Sequence, residues 1–233
     1  MGKSELSGRS IWQDVSGAKA AIAEHNLYDV FNVYFANTEY RLLQKPTHLK
    51  NLYSQVVLPK ETLEQIFTPS IDISSAQWGV SPDFAIENTR TGKILFGEIK
   101  RQDGWVEGKD PSAGRGNAHE RLCKLFTPGL LKAYRRIGCI TDQSILPFWV
   151  VFEGDITRDP KRVREITFWF DKYKANFFMW RPDHTGAELI EHFNTYLRSY
   201  LEAAEYSSSY DFAQPQYLEA ATNAPFYNPS ERR

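Results

Sequence analysis

Gly79-Val80-Ser81-Pro82-Asp83-Phe84-Ala85-Ile86 and Ile94-Leu95-Phe96-Gly97-Glu98-Ile99-Lys100 decide how this chain reads. Both stretches are short, apolar and strand-like, at about 80–87 and 93–100, and Glu87-Asn88-Thr89-Arg90-Thr91-Gly92-Lys93 between them has turn composition. A hairpin folds the second strand back beside the first, so Asp83 and Glu98 can meet across fourteen intervening residues. Lys100 stands two residues past Glu98 and shares its strand face, because strand side chains have period 2. A charged residue inside Leu95-Phe96-Gly97-Glu98-Ile99 needs a reason, since an unpaired buried charge is costly. Two readings meet that need. One is an ion pair closing the hairpin. The other is a Mg²⁺ site, because Mg²⁺ takes carboxylates, waters and phosphate oxygens. In the metal reading Asp83, Glu98 and the Ile99 carbonyl hold the ion. Lys100 then lies at a phosphate, where it orients or deprotonates water and offsets developing charge.

Outward from the hairpin, the charge distribution favours an anionic substrate. The whole chain of 233 residues carries 28 Lys+Arg against 29 Asp+Glu, a net charge of -1. From Lys100 to Arg136, however, nine basic residues face four acids, a local excess of five. A basic stretch beside a carboxylate pair is where a polyanion would bind. Taken alone, it is equally the solvated face of a helix. Within it, Ser112-Ala113-Gly114-Arg115-Gly116-Asn117-Ala118-His119-Glu120-Arg121 combines glycines with base-reading side chains. Arginine pairs with guanine O6 and N7, and asparagine with adenine N6 and N7. A capped surface helix with a Glu120/Lys124 pair would look similar.

The rest of the chain is an ordinary α/β pattern. Residues 16–36 read as a helix, 49–57 and 60–67 as two short segments broken at Pro59, and 103–116 as a glycine-rich loop. Helices are expected from Asn117 to Phe126 and, after Thr127-Pro128, to about Ile137. Leu146–Glu153 reads as a buried strand, Asp159-Pro160 as the cap of a helix to about Lys174, Phe177–Trp180 as a short strand, and Glu188–Glu202 as a helix. Strands among helices imply one layered α/β domain over 1–202. The extension 203–233 is rich in Ser, Ala, Asn, Gln and Pro but carries six aromatics. It reads either as a docking segment or as a disordered tail.

Composition excludes several classes. Two cysteines, Cys123 and Cys139, support neither a disulfide framework nor a zinc finger. The five histidines hold no metal spacing, and no Gly-rich phosphate loop, nucleophile elbow or His-Glu-x-x-His motif occurs. The N-terminus has no apolar signal core, and no apolar run nears the roughly 20 residues that span a bilayer. A soluble, cytoplasmic protein without a membrane partner is expected.

At the two constellations the chain resembles a known family. Pro82-Asp83 with Glu98-Ile99-Lys100 is similar to the PD-(D/E)xK nuclease core. Gly116-Asn117-Ala118-His119-Glu120-Arg121 resembles the Gly-Asn-Ala-x-Glu-Arg recognition element of EcoRI-like type II restriction endonucleases. The resemblance covers about residues 1 to 200, Pro147–Pro160 included. It implies a restriction-endonuclease-like core, a mixed central β-sheet flanked by helices. It implies a homodimer that cuts palindromic double-stranded DNA with Mg²⁺ as cofactor, at C/AATTG, leaving 5′ AATT overhangs and 5′-phosphates, with a cognate methyltransferase protecting host sites. Catalysis would fall to Asp83, Glu98 and Lys100, with Asp83, Glu98 and the Ile99 carbonyl as metal ligands. Asn117, Ala118 and Arg121 would read the inner AATT, with Gly116 in the same DNA-recognition element, Glu120 would buttress the arginines across the dimer, and Arg115 would read the outer guanine. Two alternatives stay open on the residues alone: a non-specific PD-(D/E)xK repair nuclease, and a catalytically silent DNA-binding module.

Overall fold

The computed structural model describes Ala18 and residues 21–67, 78–103 and 120–203. The expected glycine-rich loop, apart from Asp103, and the extension from 204 onward lie outside the described residues. The described residues fall into two compact units: 47–67 with 78–81, and the remainder.

The larger unit is built on one five-stranded sheet. Its helix α1 covers 21–35. Strands β1 (Tyr40–Gln44), β2 (Phe84–Asn88), β3 (Ile94–Arg101), β4 (Phe148–Glu153) and β5 (Phe177–Trp180) lie in sequence order across the sheet. The first three are mutually antiparallel, and β3, β4 and β5 are parallel. The sheet is therefore mixed, as expected. The hairpin pairs Phe84 with Gly97 and Glu87 with Ile94. Gly97 has no alternative there: a Cβ on it would lie 2.1 Å from the Phe84 ring.

Alternation along the strands sends side chains to two cores. One face carries Phe84, Ile86, Leu95, Ile99, Trp149 and Val151, which pack with Leu27 and Phe31 of α1 and with Phe193, Leu197 and Leu201. Each fully buried phenylalanine of this set contributes about 1.5–3 kcal/mol relative to exposure. The opposite face carries Phe96 and Phe148, whose rings meet Tyr134, Phe126 and Phe170 edge-on. Tyr134 lies on α3 (Pro128–Gly138) and Phe170 ends α4 (Pro160–Phe170). Helices thus cover both faces.

Local chemistry sets the boundaries. The Asp159 carboxylate accepts from the Lys161 and Arg162 amides and Pro160 opens α4, the cap expected from sequence. The helix stops at Phe170 rather than Lys174 because Asp171 takes a positive φ of 45°. The strand expected from Leu146 begins at Phe148, because Asn176 bonds to 146 and 148 through its side chain instead. The expected helix 117–126 is, over its described part, a 3₁₀ turn, Glu120–Phe126. The last helix runs through α5 (Gly186–His192), a π turn (Phe193–Leu197) and α6 (Arg198–Glu202). Strand β1 has no counterpart in the sequence reading.

In the smaller unit, 49–57 forms turns with a 3₁₀ stretch at Tyr53–Gln55, and α2 (Lys60–Gln65) follows Pro59. Val80 donates to the Leu49 carbonyl at 3.0 Å and Tyr53 to the Trp78 carbonyl at 2.9 Å.

His192 gives this fold a pH dependence. Its Nε2 lies 2.8 Å from the Ala175 carbonyl oxygen, and its ring stacks on Trp149 at 5.7 Å. Burial lowers its pKa, against the Ala175 bond, which favours the protonated ring. The unfolded chain thus binds more protons than the native state between that lowered pKa and about 6.5, so stability falls as pH drops below about 6.5. Urea unfolding from pH 7.5 to 5 should show this loss, and His192→Phe should flatten that part of the curve. An unaltered pH slope in the variant would assign the effect elsewhere.

Candidate active site

The catalytic candidates converge where β2 begins and β3 ends. Asp83 lies one residue before β2, beyond the last ladder pair between Gln44 and Phe84. Its side chain reaches β3, where the Ile99 amide donates to Asp83 Oδ2 at 2.8 Å. Phe96, Glu98 and Lys100 share one face of β3 by period 2, while Ile99 turns to the apolar core. Lys100 Nζ reaches Glu98 Oε2 at 2.6 Å, the Ile99 carbonyl at 3.1 Å and Asp83 Oδ2 at 3.3 Å. Lys100 thus touches each of the other three groups named from the sequence.

The electrostatics follow from burial. Glu98 is 5% exposed. Burial raises its pKa and the Asp83 charge adds to the effect, while Lys100 and Lys124 oppose it. Burial acts to lower the pKa of Lys100, but the charges and hydrogen bonds of Glu98 and Asp83 outweigh it, and the net shift is upward. Lys100 is therefore a charged ammonium that donates hydrogen bonds. Among the described residues the buried Glu98 Oε1 has no hydrogen-bond partner.

That orphaned oxygen bears on a metal. Among the described residues no three His, Cys, Asp or Glu side chains cluster as a metal site. The donors on hand are two carboxylates and the Ile99 carbonyl. All are hard oxygen ligands, one of them buried and unsatisfied, and Mg²⁺ usually keeps several waters beside one or two carboxylates. The set fits Mg²⁺.

Other groups tighten the site. Tyr28 of α1 donates its hydroxyl to the Asp83 carbonyl at 2.8 Å, and the Lys45 amide donates to the same oxygen at 3.0 Å. Lys45 Nζ lies 3.4 Å from Glu24 Oε2. Burial, then Glu24 and Asp83, push the Tyr28 phenol well above its usual pKa, so it stays protonated and a donor. Past Lys100, Arg101 pairs with Glu153 on β4 and with Asp103. Gly154, at φ 88°, permits this: a Cβ there would lie 2.5 Å from Asp103 Oδ1. The sequence reading missed Tyr28, Lys45 and the Arg101–Glu153 pair, whose partners are remote in sequence.

Of the DNA-reading candidates, Glu120 and Arg121 are exposed at the start of the Glu120–Phe126 turn. Lys124 of that turn is close enough to act on Glu98. Arg115, Gly116, Asn117 and Ala118 lie outside the described residues.

A family model described as "Type II restriction enzyme MunI" matches residues 1–202. A type II restriction enzyme MunI from a Mycoplasma species is 72% identical over 202 residues, which is 87% of this chain and 100% of that protein. The chain belongs to the MunI family of type II restriction enzymes. It is a site-specific deoxyribonuclease with the PD-(D/E)xK fold. The crystal structure of MunI restriction endonuclease in complex with cognate DNA superposes with a TM-score of 0.71 at 72% identity, covering 82% of this chain and 96% of that one. Residues 203–233 lie outside the MunI family match. Among the described residues no helix is long and apolar enough to cross a membrane.

Proposed function

We propose that this enzyme hydrolyses double-stranded DNA at C/AATTG with Mg²⁺, through Asp83, Glu98, the Ile99 carbonyl and Lys100. The observation that carries the proposal is their convergence at the end of β3, with Glu98 Oε1 buried and, among the described residues, unpartnered. Asp83, Glu98 and the Ile99 carbonyl would hold the ion. Mg²⁺, once bound, polarises the scissile phosphoryl group and makes its water more acidic. Lys100, charged, orients the attacking water by donating to it and offsets the growing negative charge. Water attacks phosphorus in line, the bond to the 3′ oxygen breaks, and a 5′-phosphate and 3′-hydroxyl remain. Of the two roles open to Lys100, its charge supports orientation over deprotonation.

The DNA-bound MunI neighbour supports duplex DNA as the partner. Arg121, Asn117, Ala118 and Gly116 would read the inner AATT, Glu120 would fix the arginines, and Arg115 would read the outer guanine. A palindrome calls for a homodimer in which each subunit reads one half-site. The enzyme would act in the cytoplasm, beside a methyltransferase that modifies the same sequence. One nuclease domain over 1–202 would suffice for this work, with 203–233 as an extension to it.

Digestion of a plasmid carrying one CAATTG and one GAATTC, with Mg²⁺ and with EDTA, tests the proposal. A single Mg²⁺-dependent cut at CAATTG with AATT overhangs is expected. Degradation without a preferred site would leave a non-specific nuclease, and no cutting would leave a binding module. Arg121→Ala should weaken specific binding by about 1–3 kcal/mol, the scale of one base contact. An unchanged ratio of specific to non-specific affinity would exclude Arg121 from readout.

A further inference from the structure

We propose that Tyr28 is a positioning residue for Asp83: with the Lys45 amide it clamps the Asp83 carbonyl and so aims the carboxylate at the metal. The proposal rests on the reading of Asp83 as a metal ligand and adds to it a group far from it in sequence.

Asp83 needs such a clamp because of where it stands. The β1–β2 ladder ends at the pair of Gln44 and Phe84, and a single further backbone bond, from the Lys45 amide, reaches the Asp83 peptide beyond it. Two donors meet its carbonyl from different elements, the Tyr28 hydroxyl at 2.8 Å and the Lys45 amide at 3.0 Å. A carbonyl oxygen has two lone pairs, and here both are engaged. That fixes the peptide plane after Asp83 and narrows the backbone freedom from which its side chain departs. The carboxylate is held at its other end by the Ile99 amide, which leaves little freedom between the two anchors.

Both donors are held in place. Tyr28 is 6% exposed and sits between Leu27 and Phe31 of α1, each fully buried against the sheet. Lys45 adopts φ 44°, left-handed for a residue that is not glycine and that directly precedes Pro46. Backbone of that kind persists only when its surroundings impose it, and it gathers at functional sites. The Lys45 amide meets Asp83, while the Lys45 side chain reaches Glu24 on the same helix as Tyr28. Misplacement of a catalytic group by about 1 Å can cost about a hundredfold in rate, so a clamp on one ligand matters to the chemistry.

Tyr28→Phe deletes the hydroxyl and keeps the ring. In the metal-free protein, the Ile99 and Lys45 amides should exchange with solvent about three- to tenfold faster, the scale of one hydrogen bond. Mn²⁺, titrated into the dimer on non-cleavable duplex, should bind more weakly by a similar factor, with DNA affinity unchanged. Tyr34→Phe is the control. It removes a hydroxyl from the same helix, one that bonds to Asn194, and should move neither readout. Unchanged exchange at Ile99 and Lys45 with unchanged Mn²⁺ affinity would overturn the clamp. Equal effects from Tyr28→Phe and Tyr34→Phe would overturn it too, since helix α1 would then act only as scaffold. If the wild-type chain bound no Mn²⁺, the metal reading of Asp83 would fall, and amide exchange would still decide the clamp.

Discussion

Replacing Glu98 by alanine should reduce cleavage by a thousandfold or more, because loss of the metal's grip removes several kcal/mol of transition-state stabilisation. Asp83→Ala should do the same. Neither carboxylate acts alone: one is buried with a free oxygen, the other is anchored to Ile99, and the ion would need both. The fold should survive each change. Glu98 is a buried acid whose charge is penalised by desolvation, so deleting it removes a cost along with its bond to Lys100. Glu98→Gln, close in shape, is the stricter variant, since it keeps the volume and loses the charge. The measurement is single-turnover cleavage of a one-site plasmid, paired with a thermal melt and with site-specific binding in the absence of metal. Loss of cleavage with an unaltered melt and retained binding is expected. Activity within about tenfold of the parent in either alanine variant would remove that carboxylate from the metal site, given that one tenfold step is only about 1.4 kcal/mol.

The sequence made the hairpin and its charged groups legible because they rest on local rules. Period 2 put Glu98 and Lys100 on one face, and turn composition between two apolar runs brought Asp83 back to them. Pro128 and Asp159-Pro160 marked helix starts for equally local reasons. Strand β1 was not legible. Tyr40-Arg41-Leu42-Leu43-Gln44 lacks alternation, being an edge strand with only its first residue buried, and its identity comes from its partner β2. The clamp on Asp83 was hidden for a related reason. Tyr28 and Asp83 are 55 residues apart, and nothing about a tyrosine on a helix announces which carbonyl it meets. The end of α4 depended on the left-handed turn at Asp171, which composition does not signal. The residues proposed to read DNA were suggested by side-chain chemistry, but their place in a recognition element came only through the family motif, because no base code follows from the type of one side chain.

Lys100→Met should lower the cleavage rate by about 10²–10³-fold, the cost of losing one preorganised donor at a developing charge. It should do so without weakening the metal. The ammonium lies against one oxygen of each carboxylate, at 3.3 Å from Asp83 and 2.6 Å from Glu98, so its charge opposes a cation drawn to the same pair of acids. Removing it leaves two like charges side by side, an arrangement that a divalent ion relieves. Mn²⁺ affinity in Lys100→Met should therefore equal or exceed that of the parent, while the rate collapses. In Asp83→Ala and Glu98→Ala, rate and affinity should fall together. The split separates a group that acts on water and phosphate from groups that hold the ion. A rate within about threefold of the parent would exclude Lys100 from the chemistry, because the donor's loss would then amount to less than 1 kcal/mol. A loss of Mn²⁺ affinity equal to that of the carboxylate variants would recast Lys100 as the residue that holds the two acids in place.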